Sequence, residues 1–344
     1  MPVVHFVHSL GLQTGGVIEA VIRLNEEFQS AKIPSRVTDN ISSTGVKEYL
    51  TIAHGLWQWP GYRAWINYRK YKIPYFVFPH GMLDPWFKKS YPWKHVKKQA
   101  YWWWRQGNIL RDAEAVCFTT EEERLLAQNT FFPYRCNEVV TGLGVGDPPG
   151  ECNKQADALY SHLPQLKNKR VLLFLGRFHP KKGVGLLINS FLKNCGKDDI
   201  LLLGGPITNP DSHLKNLRKL TAGNEKKIIW AGMLEGDLKW GALRIADALI
   251  LPSHQENFGM VIAEALSVGT PVFLTNKVNL WREVIDSGAG LVSNDDQFGI
   301  DQLVGKWVNN EHLACVENTL KCFRQKLHIS QTVEKLISIF PNGN

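Results

Sequence analysis

Four charged residues stand just past two apolar runs in the second half of the chain. Arg177 and Lys182 follow "VLLFLG" in "GRFHPKKG", and Glu256 and Glu264 follow "ALILPS" in "HQENFGMVIAE". Arginine offers a planar fork of donors and lysine a point charge. Beside the free N–H groups of a helix start, the two can hold a diphosphate, or they can simply form a basic turn that caps a helix. Carboxylates only accept hydrogen bonds, so a pair of them suits paired hydroxyls such as sugar or ribose diols. Gly259 permits close backbone approach, and the first amides of the helix after it suit a phosphate. The plain alternative makes Glu256 a dipole-favoured acid at a helix start and Glu264 an exposed helical acid about two turns on. Glu256 belongs to the loop and Glu264 to the helix. They are therefore placed to reach different parts of one elongated ligand, not to work as neighbours on one helix face.

These residues need a sheet to position them. "RVLLFLG", "DILLLGG", "KIIWAG", "ADALILPS" and "TPVFLT" are continuously apolar, as strands buried on both faces are, with helix-like runs between most of them. The first half repeats the arrangement. "VVHFVHSL" leads through the Gly-rich "GLQTGG" into a stretch where Val17, Ile18, Val21, Leu24 and Phe28 recur at helical spacing. "YLTIAHG", "YFVFPHG", "AEAVCFTT" and "NEVVTG" are further strand candidates. The pattern predicts an α/β protein of two doubly wound parallel-sheet domains, with ligands outside the carboxyl ends of the strands. Two such edges facing each other would form a cleft. The polar stretch 146–169, with Pro-Pro-Gly, reads as a linker. It divides an N-terminal domain, 1–165, from a second, 166–325. A last segment, 326–344, sets Val333, Leu336, Ile337 and Phe340 on one helical face closed by Pro341, and is expected to pack back on the N-terminal domain. Asp247 reads as a residue ending a helix before a strand.

The net charge of +8 is unevenly spread. Ten Lys or Arg stand against one acid, Asp84, between Arg63 and Arg105, and eight of the twelve tryptophans fall between Trp57 and Trp104. Such a segment suits an anionic surface, lipid or nucleic acid, or is a solvated basic face over a tryptophan-rich core. No apolar run is long enough to span a bilayer, the start reads as a first strand, and six scattered cysteines form no Cys-x-x-Cys pair. A cytoplasmic location is expected.

Together, "GRFHPKKG", "AGML", "ADALILPSHQENFGMVIAEALSVGTPV" and "GAGLV" resemble the donor domain of the retaining glycosyltransferases of family 4, which have the GT-B fold. The Glu-x7-Glu pair around Phe-Gly is the most specific piece. "TGGV", "HGLWQWP" and "PHGMLDPW" are similar to that family's bacterial polysaccharide-assembly members.

The resemblance implies two Rossmann-like domains across a central cleft, an acceptor domain followed by a donor domain. Arg177 and Lys182 would hold the donor diphosphate and stabilise the leaving nucleotide, Glu264 would bind the ribose, and Glu256 the donor sugar. The backbone of Asn257, Phe258, Gly259 and Met260 would help to fix sugar and phosphate. The base would lie near Gly232 and Met233, His80 near the reacting sugar, and Gly15 and Gly16 by the diphosphate or acceptor. His54 would face the acceptor. Lys88, Lys89, Lys94, Lys97, Lys98 and Trp102 would rest on anionic headgroups at the inner face of the membrane. No Asp-x-Asp occurs in the chain, so metal-independent transfer with no cofactor is expected. The implied reaction moves a hexose, glucose by default, from a UDP-sugar rather than a GDP-sugar to a glycan or a lipid-diphosphate-linked acceptor. Another GT-B enzyme, an epimerase or phosphorylase, and a silent carbohydrate- or nucleic-acid-binding module are the alternatives. The intact charged set speaks against the silent module, and nucleic acid is not an expected partner.

Overall fold

The structure is a computed structural model that describes residues 2–11, 16–40, 49–207 and 212–341. It contains two compact units, residues 1–146 with 327–344, and residues 147–326.

The first unit is built on six parallel strands: β1 (Val3–Phe6), β2 (Ser35–Thr38), β3 (Leu50–His54), β4 (Tyr75–Phe78), β5 (Ala115–Phe118) and β6 (Glu138–Val140). They lie in the order β2-β1-β3-β4-β5-β6. The chain direction across the sheet reverses between β1 and β3. One face is covered by helix Gly16–Ser30, which buries Leu24 and Phe28, and by helix Ile329–Ser338, which buries Ile329, Val333 and Leu336. These side chains share a core with Val3, Ile52, Phe76 and Phe78. Ile337 is exposed, so the inward face of the last helix runs through Ile329, Val333 and Leu336 to Phe340. The returning chain is anchored by Val145, whose N–H donates to the Leu327 carbonyl (3.1 Å) and whose carbonyl accepts from Ile329 (3.0 Å). A side chain on Gly144 would run into the Leu327 carbonyl. The other face packs an aromatic core around Trp102, Tyr75, Phe118 and Phe131.

The second unit has strands β7 (Arg170–Leu175), β8 (Asp199–Gly204), β9 (Ile228–Gly232), β10 (Ala248–Leu251), β11 (Val272–Thr275) and β12 (Gly290–Ser293), also all parallel. Their order is β12-β11-β10-β7-β8-β9, which reverses between β7 and β10. Phe174, Leu202, Ile250 and Phe273 are buried, and a side chain of this size contributes roughly 1.5–3 kcal/mol when removed from water. Residues 147–165, assigned on sequence grounds to the N-terminal domain within the linker 146–169, contain helix Cys152–His162 and belong to this unit. Its buried Gln155 donates to the Pro149 carbonyl (2.8 Å) and accepts from Arg244 Nε (2.8 Å), and Gly241 leaves room for its backbone. A polar sequence hid a helix that buries only two side chains, the polar Gln155 and Leu159. Among the described residues no helix is long and apolar enough to cross a membrane.

Candidate active site

In a doubly wound sheet the crevice opens where the strand order reverses. In the second unit that point lies between β7 and β10. Arg177 and Lys182 follow β7, and Glu256 follows β10, so the switch point collects three of the four residues picked out by type. The two loops are stitched together. His254 N–H donates to the Lys181 carbonyl (2.7 Å), Lys181 Nζ donates to Gln255 Oε1 (3.2 Å), and Lys182 Nζ pairs with Glu256 Oε2. Gly183 makes the approach possible: at φ +63° any side chain would run into the Pro252 carbonyl. From the other side, Glu256 is held like a strand residue. Its N–H donates to Lys277 O and its carbonyl accepts from Asn279 N–H, both at 3.0 Å.

Two helix starts converge on the same loops. Helices Val184–Asn194 and Met260–Ser267 begin at left-handed glycines, Gly183 and Gly259, and neither has a side-chain cap. Their first N–H groups are therefore unclaimed by side chains and add positive potential to the site. Arg177 is exposed, and its side chain has no protein partner among the described residues. Burial, with Arg177 and then Lys181 close by, lowers the Lys182 ammonium to about 8. The local charge is thus positive and partly desolvated, as a diphosphate requires.

Glu264 lies one turn into helix Met260–Ser267, closer to its start than the sequence reading put it. It is 2% exposed and accepts from Lys239 Nζ at 2.7 Å, so it is not a solvated helical acid. Buried charge without a partner is strongly destabilising, and Lys239 supplies that partner. Asn257 Oδ1 accepts from Asn279 Nδ2 (3.1 Å), Phe258 is buried, and only backbone is available from Phe258 and Gly259. Gly232 ends β9 at φ +70° with its carbonyl taken by Gly205 N–H (2.7 Å), and Met233 beyond it is exposed. These two stand at the far edge of the sheet, with β8 between β9 and β7.

The remaining candidates belong to the first unit. Gly15 lies outside the described residues, and Gly16 opens helix Gly16–Ser30 after β1. His80 follows β4 in the left-handed region, φ +50°, a conformation that costs of order 1–3 kcal/mol outside glycine. It is held there by Glu123, a buried carboxylate that accepts from Gly81 N–H (2.6 Å) and from Thr119 N–H and Oγ1 (2.7 and 2.6 Å). Sequence reasoning missed Glu123, although the capping-box spacing Thr120-x-x-Glu123 after β5 marks it. Lys239 and His5 were missed as well, because nothing local distinguishes them.

Two expectations need correction. His54 does not face an acceptor: it is 3% exposed, and both ring nitrogens are occupied by His5 and His80. Trp102 is no surface residue: it is 1% exposed, stacks on Phe131 and donates to the Pro133 carbonyl (2.8 Å). The exposed tryptophans of this segment are instead Trp93, Trp103 and Trp104. Lys88, Lys89, Lys94 and Lys97 are exposed, while Lys98 is half-buried with its ammonium 4.7 Å from the centre of the Trp57 ring. Among the described residues no group of three acidic, histidine or cysteine side chains is arranged to hold a metal.

Residues 161–319 match the family Glycosyl transferases group 1. An uncharacterized glycosyltransferase of Methanocaldococcus jannaschii is 24% identical over 178 residues, 50% of this chain and 45% of that protein. A D-inositol 3-phosphate glycosyltransferase of Acidothermus cellulolyticus is 26% identical over 180 residues, 49% of this chain and 40% of that protein. The chain therefore spans less than half the length of these two relatives. A processive diacylglycerol alpha-glucosyltransferase of Acholeplasma laidlawii is 22% identical over 76% of each chain. Among solved structures, Anabaena HepE in complex with UDP superposes with a TM-score of 0.78 at 16% identity, covering 99% of this chain and 100% of that one. Sucrose-phosphate synthase from Thermosynechococcus elongatus gives 0.75 at 16% identity over 98% of each. At such identities the likeness concerns the fold, which is the two-Rossmann-domain GT-B fold.

Proposed function

We propose that this chain, whose residues 161–319 are a glycosyl transferases group 1 domain, is a retaining glycosyltransferase that moves a hexose from a UDP-sugar without a metal ion. The observation that carries the reading is the Lys182–Glu256 pair at the strand-order switch point, beside Arg177, which has no partner among the described residues, and two uncapped helix starts. A diphosphate fits the cations and amides, Glu256 fits sugar hydroxyls, and Glu264 fits a ribose diol. Arg177 and Lys182 put positive charge where the leaving nucleotide develops its negative charge, the service a divalent cation gives elsewhere. In retention at one face, the bond from the anomeric carbon to phosphate breaks as the acceptor oxygen bonds to the same carbon, and the leaving phosphate oxygen takes the acceptor proton. The complexes of Anabaena HepE with UDP and with UDP-glucose support the UDP-glucose choice, and the name of the Acholeplasma relative supports the glucosyl part of it.

The test is a panel of UDP-, GDP- and ADP-sugars, read by thermal shift and nucleotide release with and without chelator. UDP-glucose is expected to give the largest shift and to release UDP at a rate chelation leaves unchanged. Loss of release on chelation would remove metal independence. Silence toward every donor, with lipid acceptor present, would favour a silent module.

The acceptor in this reading is glycan or lipid-diphosphate-linked glycan at the inner face of a membrane. Support comes from the helix Pro92–Tyr101 and the turn after it. Trp93 (84% exposed), Val96, Trp103 and Trp104 recur along one outward stripe, with Lys94 and Lys97 beside it. Phe132 (76% exposed) joins the patch, since its carbonyl accepts from Trp103 Nε1 (2.6 Å). Aromatic residues flanked by lysines suit an anionic bilayer surface, at about 1 kcal/mol per basic residue. Reversing Lys89, Lys94 and Lys97 to Glu is expected to weaken co-sedimentation with phosphatidylglycerol vesicles at least ~10-fold. Binding indifferent to headgroup charge, or to the reversal, contradicts the membrane contact.

A further inference from the structure

Three histidines cross the first sheet as a staircase. His5 sits in β1 opposite Ile52 of β3, and His54 is two residues beyond Ile52. His54 in turn sits opposite Phe78 of β4, and His80 is two residues beyond Phe78. Since side chains alternate along a strand, steps of two keep all three rings on one face. Each step also moves one strand over and two residues toward the carboxyl edge. The rings meet. His5 Nδ1 lies 3.0 Å from His54 Nε2, and His54 Nδ1 lies 2.9 Å from His80 Nε2. They stack at centroid distances of 5.2 Å, between Phe28 at the buried end and Phe78 alongside.

The proton positions follow from one orphan. A neutral imidazole carries one N–H and one lone pair. Burial lowers His5 to about 3 and His80 to about 4, and holds His54 well below the ordinary range, so all three rings are neutral. His5 Nε2 is buried and has no partner among the described residues. A buried donor left without an acceptor is rarer than an under-used acceptor. Nε2 is therefore the lone pair, and His5 carries its proton on Nδ1. Nδ1–H donates to His54 Nε2, which places the His54 proton on Nδ1. That proton donates to His80 Nε2, which places the His80 proton on Nδ1. The half-buried His80 ring ends the series with Nδ1 unpartnered by protein among the described residues.

We propose that His5 and His54 are positioning residues that lock His80 as an Nδ1–H donor, aimed at a ligand hydroxyl oxygen at the carboxyl edge of the first sheet. The chemical class of that ligand, a sugar, rests on the glycosyl-transfer reading, whereas the tautomer does not. Glu123 completes the arrangement by fixing the His80 turn from the other side.

Long-range proton–nitrogen correlation spectra of the full chain labelled with ¹⁵N-histidine read the tautomers without substrate. All three rings are expected as Nδ1–H. His5→Asn keeps an N–H donor near the position of Nδ1, so His80 should stay Nδ1–H with kcat within about threefold. His5→Leu removes the donor. His80 should then populate Nε2–H, and kcat for transfer should fall about 10-fold with little change in KM for the donor. An Nε2–H or charged His80 in the unmodified protein overturns the proposal, and so does a His80 tautomer indifferent to His5→Leu. If His5→Leu fails to fold, the unmodified spectrum and His5→Asn still decide. If the tautomers are as stated but kcat is indifferent, the positioning role fails together with His80's part in the reaction. Nucleotide release from UDP-sugars would then test the glycosyl-transfer reading separately.

Discussion

Turnover of the Glu256→Ala protein is expected to fall by about 10³-fold or more, with the KM for donor sugar unchanged or lower. Removing one preorganised contact to a reacting group costs roughly 10²–10³ in rate. Here the loss is compounded, because the same carboxylate orients Lys182 in the ligand-free site. Without Glu256, Lys182 no longer exchanges a carboxylate for a phosphate on binding, so the ground-state complex does not suffer. An effect on kcat rather than KM is what separates a group acting on the sugar from one that merely builds the pocket. Glu256→Gln keeps the shape and removes the charge, and should fall between the two. The Glu256 backbone is held by Lys277 and Asn279, so the loop is expected to survive either change. Turnover above a tenth of the original in Glu256→Ala would remove this residue from the machinery.

The second large effect is one of pH on donor affinity. In the free protein the Lys182 ammonium is lowered to about 8 by burial and by its cationic neighbours. Below that pH it is already charged, and the donor dissociation constant should be flat. Above it the free protein must take up a proton to meet the diphosphate, so Kd should rise by up to tenfold per pH unit. Calorimetry in buffers of different ionisation heat should show proton uptake approaching one above pH 8. Lys182→Ala should abolish the slope and lose about 10²–10³ in kcat/KM, while Lys182→Arg should bind without the slope, because guanidinium does not titrate in this range. The sign for folding is opposite to that of a stabilised lysine. The folded value lies below the unfolded one, so the charged form is a burden at neutral pH, relieved as pH rises from about 8 toward the unfolded value near 10.4. A donor that supplies counter-charge should therefore stabilise the second unit most where Lys182 is charged.

Much of the fold was legible because buried parallel strands announce themselves. "VLLFL", "ILLLG" and "ALIL" are apolar without a break and are strands β7, β8 and β10. The strands not picked out, β2 and β12, are sheet edges with half-exposed residues, "SRVT" and "GLVS", where neither continuity nor alternation is required. Of the candidate site, Arg177, Lys182 and Glu256 were readable as charged residues just past strands. That Lys182 and Glu256 touch was not, since strand order across the switch point is a long-range property. The histidine staircase was half visible: His54 and His80 stand out in "AHG" and "PHG", whereas His5 sits in an apolar run where a histidine looks like filler. Trp102 was misplaced because four aromatic residues in a row, "YWWW", carry no period that separates the inward ring from its exposed neighbours.

The second unit is one uninterrupted stretch, residues 147–326, while the first is assembled from two pieces on either side of it. Synthesis runs from the N-terminus, so the later-made sheet can close while the earlier one still lacks its last helix. Until Ile329, Val333 and Leu336 arrive, helix Gly16–Ser30 is, among the described residues, the one element covering Phe76 and Phe78 on that face, and Phe28 lacks its partners there. The order of completion is thus the reverse of the order of translation. The interval between them leaves an open apolar face on the nascent chain, the kind of surface that folding helpers bind and that self-association exploits.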